Sequence, residues 1–215
     1  MSCTKVVPTR KPIDEVLSDK RIRMIYELSR IIMGDDPVHG WPHVERVLGL
    51  ALRIAENTNS HVDYKVLVLS VLLHDIGRLA EDHLGKHHAV ISTEIAKKLL
   101  ENLGFSEDLV ERVVEAIRTH SFSCNGQPRS IEAMILSDAD KLDAIGAIGI
   151  ARTFMLGERW GRGIDGTVKH FYEKLLKLKD MLFLDYSKKI AQRRHKLLEI
   201  FLENLLRDLS ESSIS

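Results

Sequence analysis

Apolar residues recur at helical spacing along most of the chain, which predicts helices rather than strands. Residues 16–32 carry such a stripe, and Gly34 follows it at a position suited to ending a helix. A second stripe covers residues 44–55 and follows Pro42, a residue favoured in the first turn of a helix. His43 is therefore predicted to lie in the first turn of this second helix.

Residues 63–77 form the most apolar segment, and they are apolar nearly all round a helix. Asp63 is suited to capping the start of this helix, and Gly77 is suited to ending it. The valines also allow a buried strand, but the length of the segment and its leucines favour a helix. A helix that is apolar all round runs through the interior of a fold. His74 and Asp75 are then predicted at the C-terminal end of a central helix.

The second half of the chain continues the helical pattern without an internal repeat. The predicted helices cover residues 89–103, 107–120, 131–155, 167–181 and 187–209, with Ser106 as an N-cap, Gly104 as a helix end and a glycine-rich turn at 157–166. The chain is long enough for one large core. We therefore predict a single all-α domain, a bundle of about seven or eight helices over residues 13–209. Residues 1–12 are predicted to be a flexible N-terminus and residues 210–215 a C-terminal tail.

The composition argues against several classes of function. Apolar residues make up 44% of the chain and aromatic residues only 6%, a mixture that suits helices packed on helices. Lys plus Arg and Asp plus Glu both total 31, so the chain has no overall basic field for binding nucleic acid or an anionic membrane. A small anion in a local basic pocket remains compatible with this balance.

Cysteine usage and the length of the apolar runs predict a cytoplasmic protein. Cys3 and Cys124 lack the paired spacing of a zinc ribbon and the density of a secreted disulfide scaffold. The N-terminal residues contain no apolar core for a signal peptide. The longest apolar run, residues 66–73, is too short to span a bilayer.

The adjacent pair His74 and Asp75 is the most informative polar feature. An imidazole and a carboxylate at the edge of a core need partners, and a divalent metal ion would satisfy both. Taken alone, the pair is better explained as a buried histidine bonded to a neighbouring carboxylate. His43 on an earlier helix and the carboxylates Asp138 and Asp140 in an otherwise apolar segment change that balance. Three separate segments are then expected to converge on one metal ion.

Three motifs carry a resemblance to a known superfamily: HVERV at residues 43–47, LLHDIG at 72–77 and DADKLDAIG at 138–146. In this order they resemble the HD-domain phosphohydrolase superfamily. Two further stretches, AIRTHSFS at 116–123 and FYEKLLKLKD at 171–180, resemble a group of small bacterial and archaeal HD hydrolases, some of which are nucleotide pyrophosphohydrolases. The resemblance covers nearly the whole chain and implies an all-α HD domain.

The resemblance implies a metal centre whose ligands are His43, His74, Asp75 and Asp140. Periodicity does not choose between Asp138 and Asp140, which point to opposite sides of one helix. The superfamily pattern places its ligand directly before a Lys-Leu or Arg-Leu step, which selects Asp140 and leaves Asp138 to support the site from behind. Two histidines and two carboxylates favour one divalent cation, with Mn²⁺ first and Mg²⁺, Fe²⁺, Co²⁺ or Ni²⁺ as alternatives.

Three other histidines, His87, His88 and His120, resemble the extra ligands that some HD enzymes use for a second metal ion. The group that this chain resembles does not require two ions, so one is expected. His120 lies within one of the resembling stretches and is expected near the substrate, as a catalytic hydrogen-bond donor or proton carrier. The alternative for His120 is an ordinary residue at a helix end.

Basic side chains are expected to bind an anionic substrate. Lys141 follows the predicted ligand directly, where related HD enzymes place a base that contacts phosphate, and it is the first candidate for both substrate binding and catalysis. Arg46 lies one helical turn after His43, on the same face. Arg78, beside the His-Asp pair, is a weaker candidate. The alternative for each is a surface or intrahelical ion pair.

The resemblance implies hydrolysis of nucleoside or deoxynucleoside triphosphates to the monophosphate and pyrophosphate by a metal-activated water. Asp75 is expected both to hold the ion and to orient the water. The enzymatic alternative is a nucleotidase or cyclic-nucleotide phosphodiesterase, and the non-enzymatic alternative is a nucleotide-binding HD sensor. The expected partner is a small phosphorylated molecule rather than nucleic acid or a membrane, and a homodimer is compatible with the sequence.

Overall fold

The structure, a computed structural model, describes residues 11–121 and 126–211. These residues contain helices and connecting turns but no strand, which confirms the predicted all-α fold. They fall into two compact units, the first ending at Ala139 and the second starting at Asp140. None of the helices in the described residues is long and apolar enough to cross a membrane. The single domain predicted for residues 13–209 stays a prediction, as do the flexible N-terminus and the tail.

The first unit is built around a short buried helix. Its helices are, in chain order, α1 (Lys11–Val16), α2 (Lys20–Met33), α3 (Trp41–Glu56), α4 (Tyr64–Leu73), α5 (Glu81–Leu84), α6 (His88–Asn102), α7 (Glu107–His120) and the start of α8 (Ile131–Asp143). Helix α4 packs against α1, α2, α3 and α7, and α6 packs against α7. Every residue from Val66 to Leu73 is buried, which accounts for the continuous apolar run in the sequence.

The ends of several helices form as their sequences predict. The Asp63 carboxylate accepts hydrogen bonds from the backbone N–H groups of Lys65 and Val66, so it caps the N-terminus of α4. Ser106 caps α7 in the same way. Helix α2 ends at Gly34, whose φ of 57° favours glycine. These caps support the helix assignments that position the site.

The second unit contains three further helices and a 3-10 segment. These elements are α9 (Gly146–Arg159), α10 (Gly163–Glu173), the 3-10 segment Leu175–Met181 and α11 (Asp185–Glu211). Helix α9 packs against both α10 and α11. The rings of Phe154, Phe171 and Phe201 pack together, with centroids 5.7 to 6.1 Å apart. These three phenylalanines therefore pack α9, α10 and α11 together.

Two predicted helices are divided in the structure. The one predicted over residues 167–181 ends at Glu173 and is followed, after Lys174, by a 3-10 segment. Residues 131–155 were expected to form a single helix, but the chain leaves helical geometry at Ile145, and Gly146 has a φ of 79° that disfavours other residues. Gly149 lies so close to the Ala144 carbonyl that a side chain there would overlap it. The two glycines thus allow a tight turn between α8 and α9. This division and the short α1 and α5 give more helices than the predicted seven or eight.

Gly77 permits a close approach between the end of the His-Asp segment and α6. A Cβ atom at this position would lie 2.6 Å from the backbone nitrogen of Ser92 and 2.8 Å from the His88 carbonyl oxygen. The Gly77 N–H also donates a hydrogen bond to the Ser92 hydroxyl. This approach brings α6 against the segment that follows His74 and Asp75.

We expect Gly77→Ala to lower the free energy of unfolding by about 1–3 kcal/mol, because the added methyl group meets backbone atoms that cannot move aside cheaply. Urea unfolding followed by circular dichroism measures the change. Gly49→Ala in α3 is the matched control, since nothing lies within 4 Å of a Cβ at that position. The control is expected to be neutral or up to about 1 kcal/mol more stable. Equal stability of the two variants would contradict the proposed tight contact.

Candidate metal centre

Two imidazoles from neighbouring helices meet in the interior of the first unit. His43 lies in the first turn of α3, as predicted, and His74 follows the last residue of α4. Both side chains are buried, and their Nε2 atoms are 3.4 Å apart. Helix α3 packs directly against α4, and this packing brings the two rings together.

The Asp75 carboxylate lies beside both imidazoles and is also buried. Its Oδ2 atom is 3.7 Å from Nε2 of His43 and 3.7 Å from Nε2 of His74. Its Oδ1 atom is buried without a hydrogen-bond partner. A buried carboxylate among imidazole nitrogens is costly, so a cation bound among these atoms would satisfy an otherwise unmet requirement.

The hydrogen bonds of the rings indicate which nitrogen of each histidine faces the cluster. Nδ1 of His74 is 2.7 Å from the Val71 carbonyl oxygen, and Nδ1 of His120 is 2.5 Å from the Ile117 carbonyl oxygen. A carbonyl only accepts hydrogen bonds, so Nδ1 donates in both rings and a neutral ring then presents Nε2 as the acceptor. Metal-binding histidines in proteins are usually held in this way.

Asp140 joins the same cluster. It lies in α8, directly after the last residue of the first unit, and the helix is unbroken at this point. One carboxylate oxygen of Asp140 and one ring nitrogen from each of His43 and His74 all lie within 4.8 Å of one another. Asp138 is fully buried and belongs to none of the metal-ligand groups found among the described residues. The structure thus places the Asp140 carboxylate beside the two imidazoles, and its role as the metal ligand stays a prediction.

The charges around Asp75 favour its ionised form. Burial by itself raises the pKa of the Asp75 carboxyl, but the Arg78 guanidinium, followed by His74, His120 and His88, lowers this pKa well below its usual range. Burial also lowers the pKa of the His88 imidazole to about 4. At neutral pH the cluster thus contains a carboxylate and a neutral imidazole, the forms that bind metal ions.

A hydrogen-bonded group beside Asp75 contains Arg78 and His88 together with Glu81, which was not predicted from the sequence. Arg78 Nε donates to Asp75 Oδ2 over 2.6 Å, and Arg78 Nη2 lies 3.2 Å from His88 Nε2. Glu81 Oε1 accepts hydrogen bonds from the backbone N–H and from Nδ1 of His88. Glu81 was not singled out because it lies in a short helix without periodicity. The acidic first turn of that helix was the only signal in the sequence.

The remaining predicted site residues are placed as follows. His120 is the last residue of α7 and is buried, with Nε2 3.7 Å from Asp75 Oδ1. Arg46 lies one turn after His43 in α3 and is half-buried. Lys141 is buried, with Nζ 5.8 Å from the centroid of the Phe183 ring. Roles of these residues toward a substrate stay predictions.

Comparisons with known proteins agree with this geometry. The family model of the HD domain matches residues 40–145. The chain is 34% identical over 187 residues to YpgQ of Bacillus subtilis, an uncharacterized protein, covering 83% of this chain and 88% of the relative. The chain belongs to the HD-domain family. HD domains are metal-dependent phosphohydrolases, so the predictions of an HD-superfamily hydrolase and of a divalent-metal requirement are confirmed at this level.

Solved structures of HD proteins share the fold over most of their length. The crystal structure of B. subtilis YpgQ in complex with ADP has a TM-score of 0.71 and 30% identity, covering 88% of this chain and 95% of that chain. An HD-superfamily hydrolase from Bacillus thuringiensis has a TM-score of 0.68 and 31% identity, covering 89% of this chain and 97% of that chain. In this HD-family chain the family match contains all four predicted ligands.

Proposed function

We propose that this HD-superfamily hydrolase cleaves nucleoside or deoxynucleoside triphosphates to the monophosphate and pyrophosphate at one metal ion, with Mn²⁺ favoured. The ligands in this proposal are His43, His74, Asp75 and Asp140. The observation that carries the proposal is the buried cluster in which acceptor atoms of the two imidazoles and the carboxylates lie together. These atoms repel one another unless a cation lies among them. The nucleotide part rests on the resemblance and on the ADP complex of the B. subtilis relative.

The residues of the chain have separate tasks in this proposal. A bound divalent ion lowers the pKa of a coordinated water and polarises a phosphoryl oxygen. Asp75, held by the Arg78 hydrogen bond, orients the attacking water through its carboxylate. The His120 imidazole, close to Asp75 Oδ1, accepts or donates the proton that is transferred during the reaction.

Positive side chains bind the phosphates in the same proposal. A triphosphate carries several negative charges, and a single divalent ion does not neutralise all of them. Lys141 has its ammonium group in a buried environment, where an electrostatic interaction is stronger than in water. Arg46 supplies a second cation from the helix turn after His43. Together they stabilise the charge that develops on the transferring group.

Product identification tests the proposal. The metal-stripped protein is incubated with Mn²⁺ and, in separate reactions, deoxynucleoside triphosphates, nucleoside monophosphates and cyclic nucleotides, and ³¹P NMR identifies the products. Pyrophosphate and monophosphate from the triphosphates would support the proposal. Orthophosphate from monophosphates would support a nucleotidase instead, and opening of cyclic nucleotides would support a phosphodiesterase. Either result without pyrophosphate release would overturn the proposed reaction.

Lys141→Met is expected to lower kcat by on the order of 10²-fold, because the variant removes a cation that stabilises the developing charge. The Mn²⁺ affinity of the variant, measured by calorimetry, is expected to change little, since Lys141 is not a proposed ligand. Lys169→Met is a control in the second unit, since it removes an exposed cation that pairs with Glu173. A Lys141→Met enzyme with unchanged kcat and KM would exclude a role for Lys141 in phosphate binding.

A further inference from the structure

We propose that the Arg78 guanidinium acts as a built-in cation that keeps the metal centre mononuclear. It does so by contacting His88 Nε2, a donor atom that a second divalent ion would need, while it is bonded to the Asp75 carboxylate. This inference rests on the metal centre proposed above and concerns how many ions that centre holds.

A second group of donor atoms lies around the other oxygen of the Asp75 carboxylate. Asp75 Oδ1 has no hydrogen-bond partner, and it lies 3.4 Å from His88 Nε2 and 3.7 Å from His120 Nε2. One carboxylate oxygen and two imidazole nitrogens form a donor set that suits a divalent transition-metal ion. Together with His43 and His74, these two histidines surround a single carboxylate with four imidazoles.

The rings of His88 and His120 are oriented with one nitrogen toward Asp75. His120 donates from Nδ1 to the Ile117 carbonyl oxygen. His88 donates from Nδ1 to Glu81 Oε1, because an ionised carboxylate only accepts hydrogen bonds. In their neutral forms both rings then present Nε2 as an acceptor toward Asp75. A carbonyl or carboxylate behind each imidazole is the arrangement that prepares histidine for metal binding.

Arg78 provides positive charge at this second group of donor atoms. Its Nε atom donates to Asp75 Oδ2 over 2.6 Å, and its Nη2 atom lies 3.2 Å from His88 Nε2. One side chain therefore contacts two of the residues that a second ion would require. A guanidinium is planar and permanently charged. Unlike a metal ion, it is attached to the chain and needs no ligands to remain at this position. A second divalent ion would have to displace it or bind beside a like charge.

Glu81 holds the Arg78 guanidinium and the His88 imidazole next to each other. Its Oε1 atom accepts hydrogen bonds from the backbone N–H of His88, over 3.1 Å, and from the ring Nδ1, over 3.2 Å. Its Oε2 atom lies 3.8 Å from Arg78 Nη1. Glu81 thus contacts both Arg78 and His88, two of the side chains that lie next to Asp75. The guanidinium is held by Asp75 on one side and by Glu81 on the other, so it is a fixed part of the centre.

Counting the bound ions tests this inference. The metal-stripped protein is loaded with Mn²⁺, excess metal is removed, and the metal content is measured by mass spectrometry. The wild type is expected to hold one equivalent of Mn²⁺, and Arg78→Met is expected to hold two. The electron paramagnetic resonance spectrum provides a second readout, because two Mn²⁺ ions bridged by Asp75 are magnetically coupled and one ion is not. Arg78→Gln replaces Arg78→Met if the latter does not fold.

Two control variants separate loss of charge from general disturbance. Arg78→Lys retains a cation and is expected to stay at one equivalent. The double variant Arg78→Met with His88→Ala removes a ligand of the second position and is expected to return to one equivalent. A neutral Arg78 variant that stays at one equivalent, or a wild type that holds two coupled ions, would overturn the inference. A wild type that binds no Mn²⁺ would instead refute the metal centre itself.

Discussion

Asp75→Asn is expected to abolish tight Mn²⁺ binding and to lower kcat/KM by on the order of 10³-fold or more. Loss of a residue behind a metal ligand costs about 10–100-fold in affinity, and loss of a charged ligand is expected to cost more. A loss of kcat/KM on the order of 10³-fold equals several kcal/mol, since each tenfold change in rate is about 1.4 kcal/mol. A catalytic metal ion supplies stabilisation of this size. Calorimetric titration of the metal-stripped variant and steady-state kinetics measure the two losses.

Asparagine has the shape of aspartate, so the variant removes the negative charge while it disturbs packing little. The charge matters because Asp75 is buried beside several imidazoles; burial raises the pKa of its carboxyl, and the Arg78 guanidinium is the first of the groups that nevertheless lower this pKa well below its usual range. Asp180→Asn is the matched control, because that carboxylate is largely exposed and lies in the second unit. The control is expected to bind Mn²⁺ like the wild type. Retention of wild-type affinity by Asp75→Asn would remove Asp75 from the ligand set.

Asp140→Asn is expected to weaken Mn²⁺ binding strongly and to reduce hydrolysis by a similar factor, on the order of 10²-fold or more. The reason is the position of its carboxylate, which lies within 4.8 Å of ring nitrogens of His43 and His74. Calorimetry with Mn²⁺ and measurement of kcat/KM provide the two readouts.

Asp138→Asn is the matched comparison, since Asp138 lies in the same helix two residues earlier and is fully buried. It is expected to keep most of the Mn²⁺ affinity and to lose thermal stability instead, because Asp138 occupies a buried position outside the ligand group. If Asp138→Asn lost the metal while Asp140→Asn kept it, the assignment of the two residues would be reversed.

Local sequence features predicted the elements that carry the site. Asp63 caps α4 through its own side chain, and the apolar run that follows is buried, because both depend on residues next to each other in the chain. His43 and His74 could be assigned to helix ends for the same reason. That the two rings meet followed from the resemblance rather than from periodicity, because the contact depends on how α3 packs against α4.

Long-range geometry explains what the sequence did not reveal. Arg78, Glu81 and His88 meet because the chain turns back through a 3-10 turn and α5 before α6 begins, and no periodic pattern marks that return. The sequence indicated Arg78 as a weaker candidate for substrate binding, and the structure adds that its guanidinium donates a hydrogen bond to Asp75. The turn at Gly146 was missed because its neighbours are helix-compatible, and only the backbone shows the positive φ.

The position of a bound Mn²⁺ ion is the direct test of the proposed metal centre. Crystals of the protein grown with MnCl₂ are measured at a wavelength where manganese scatters anomalously, and the anomalous difference map locates the ion. We predict one strong peak per chain, at bonding distance from Nε2 of His43 and His74 and from carboxylate oxygens of Asp75 and Asp140. A peak instead at the nearby group formed by Glu81, His87 and His88, whose ligand atoms also lie within 4.8 Å of one another, would contradict this prediction.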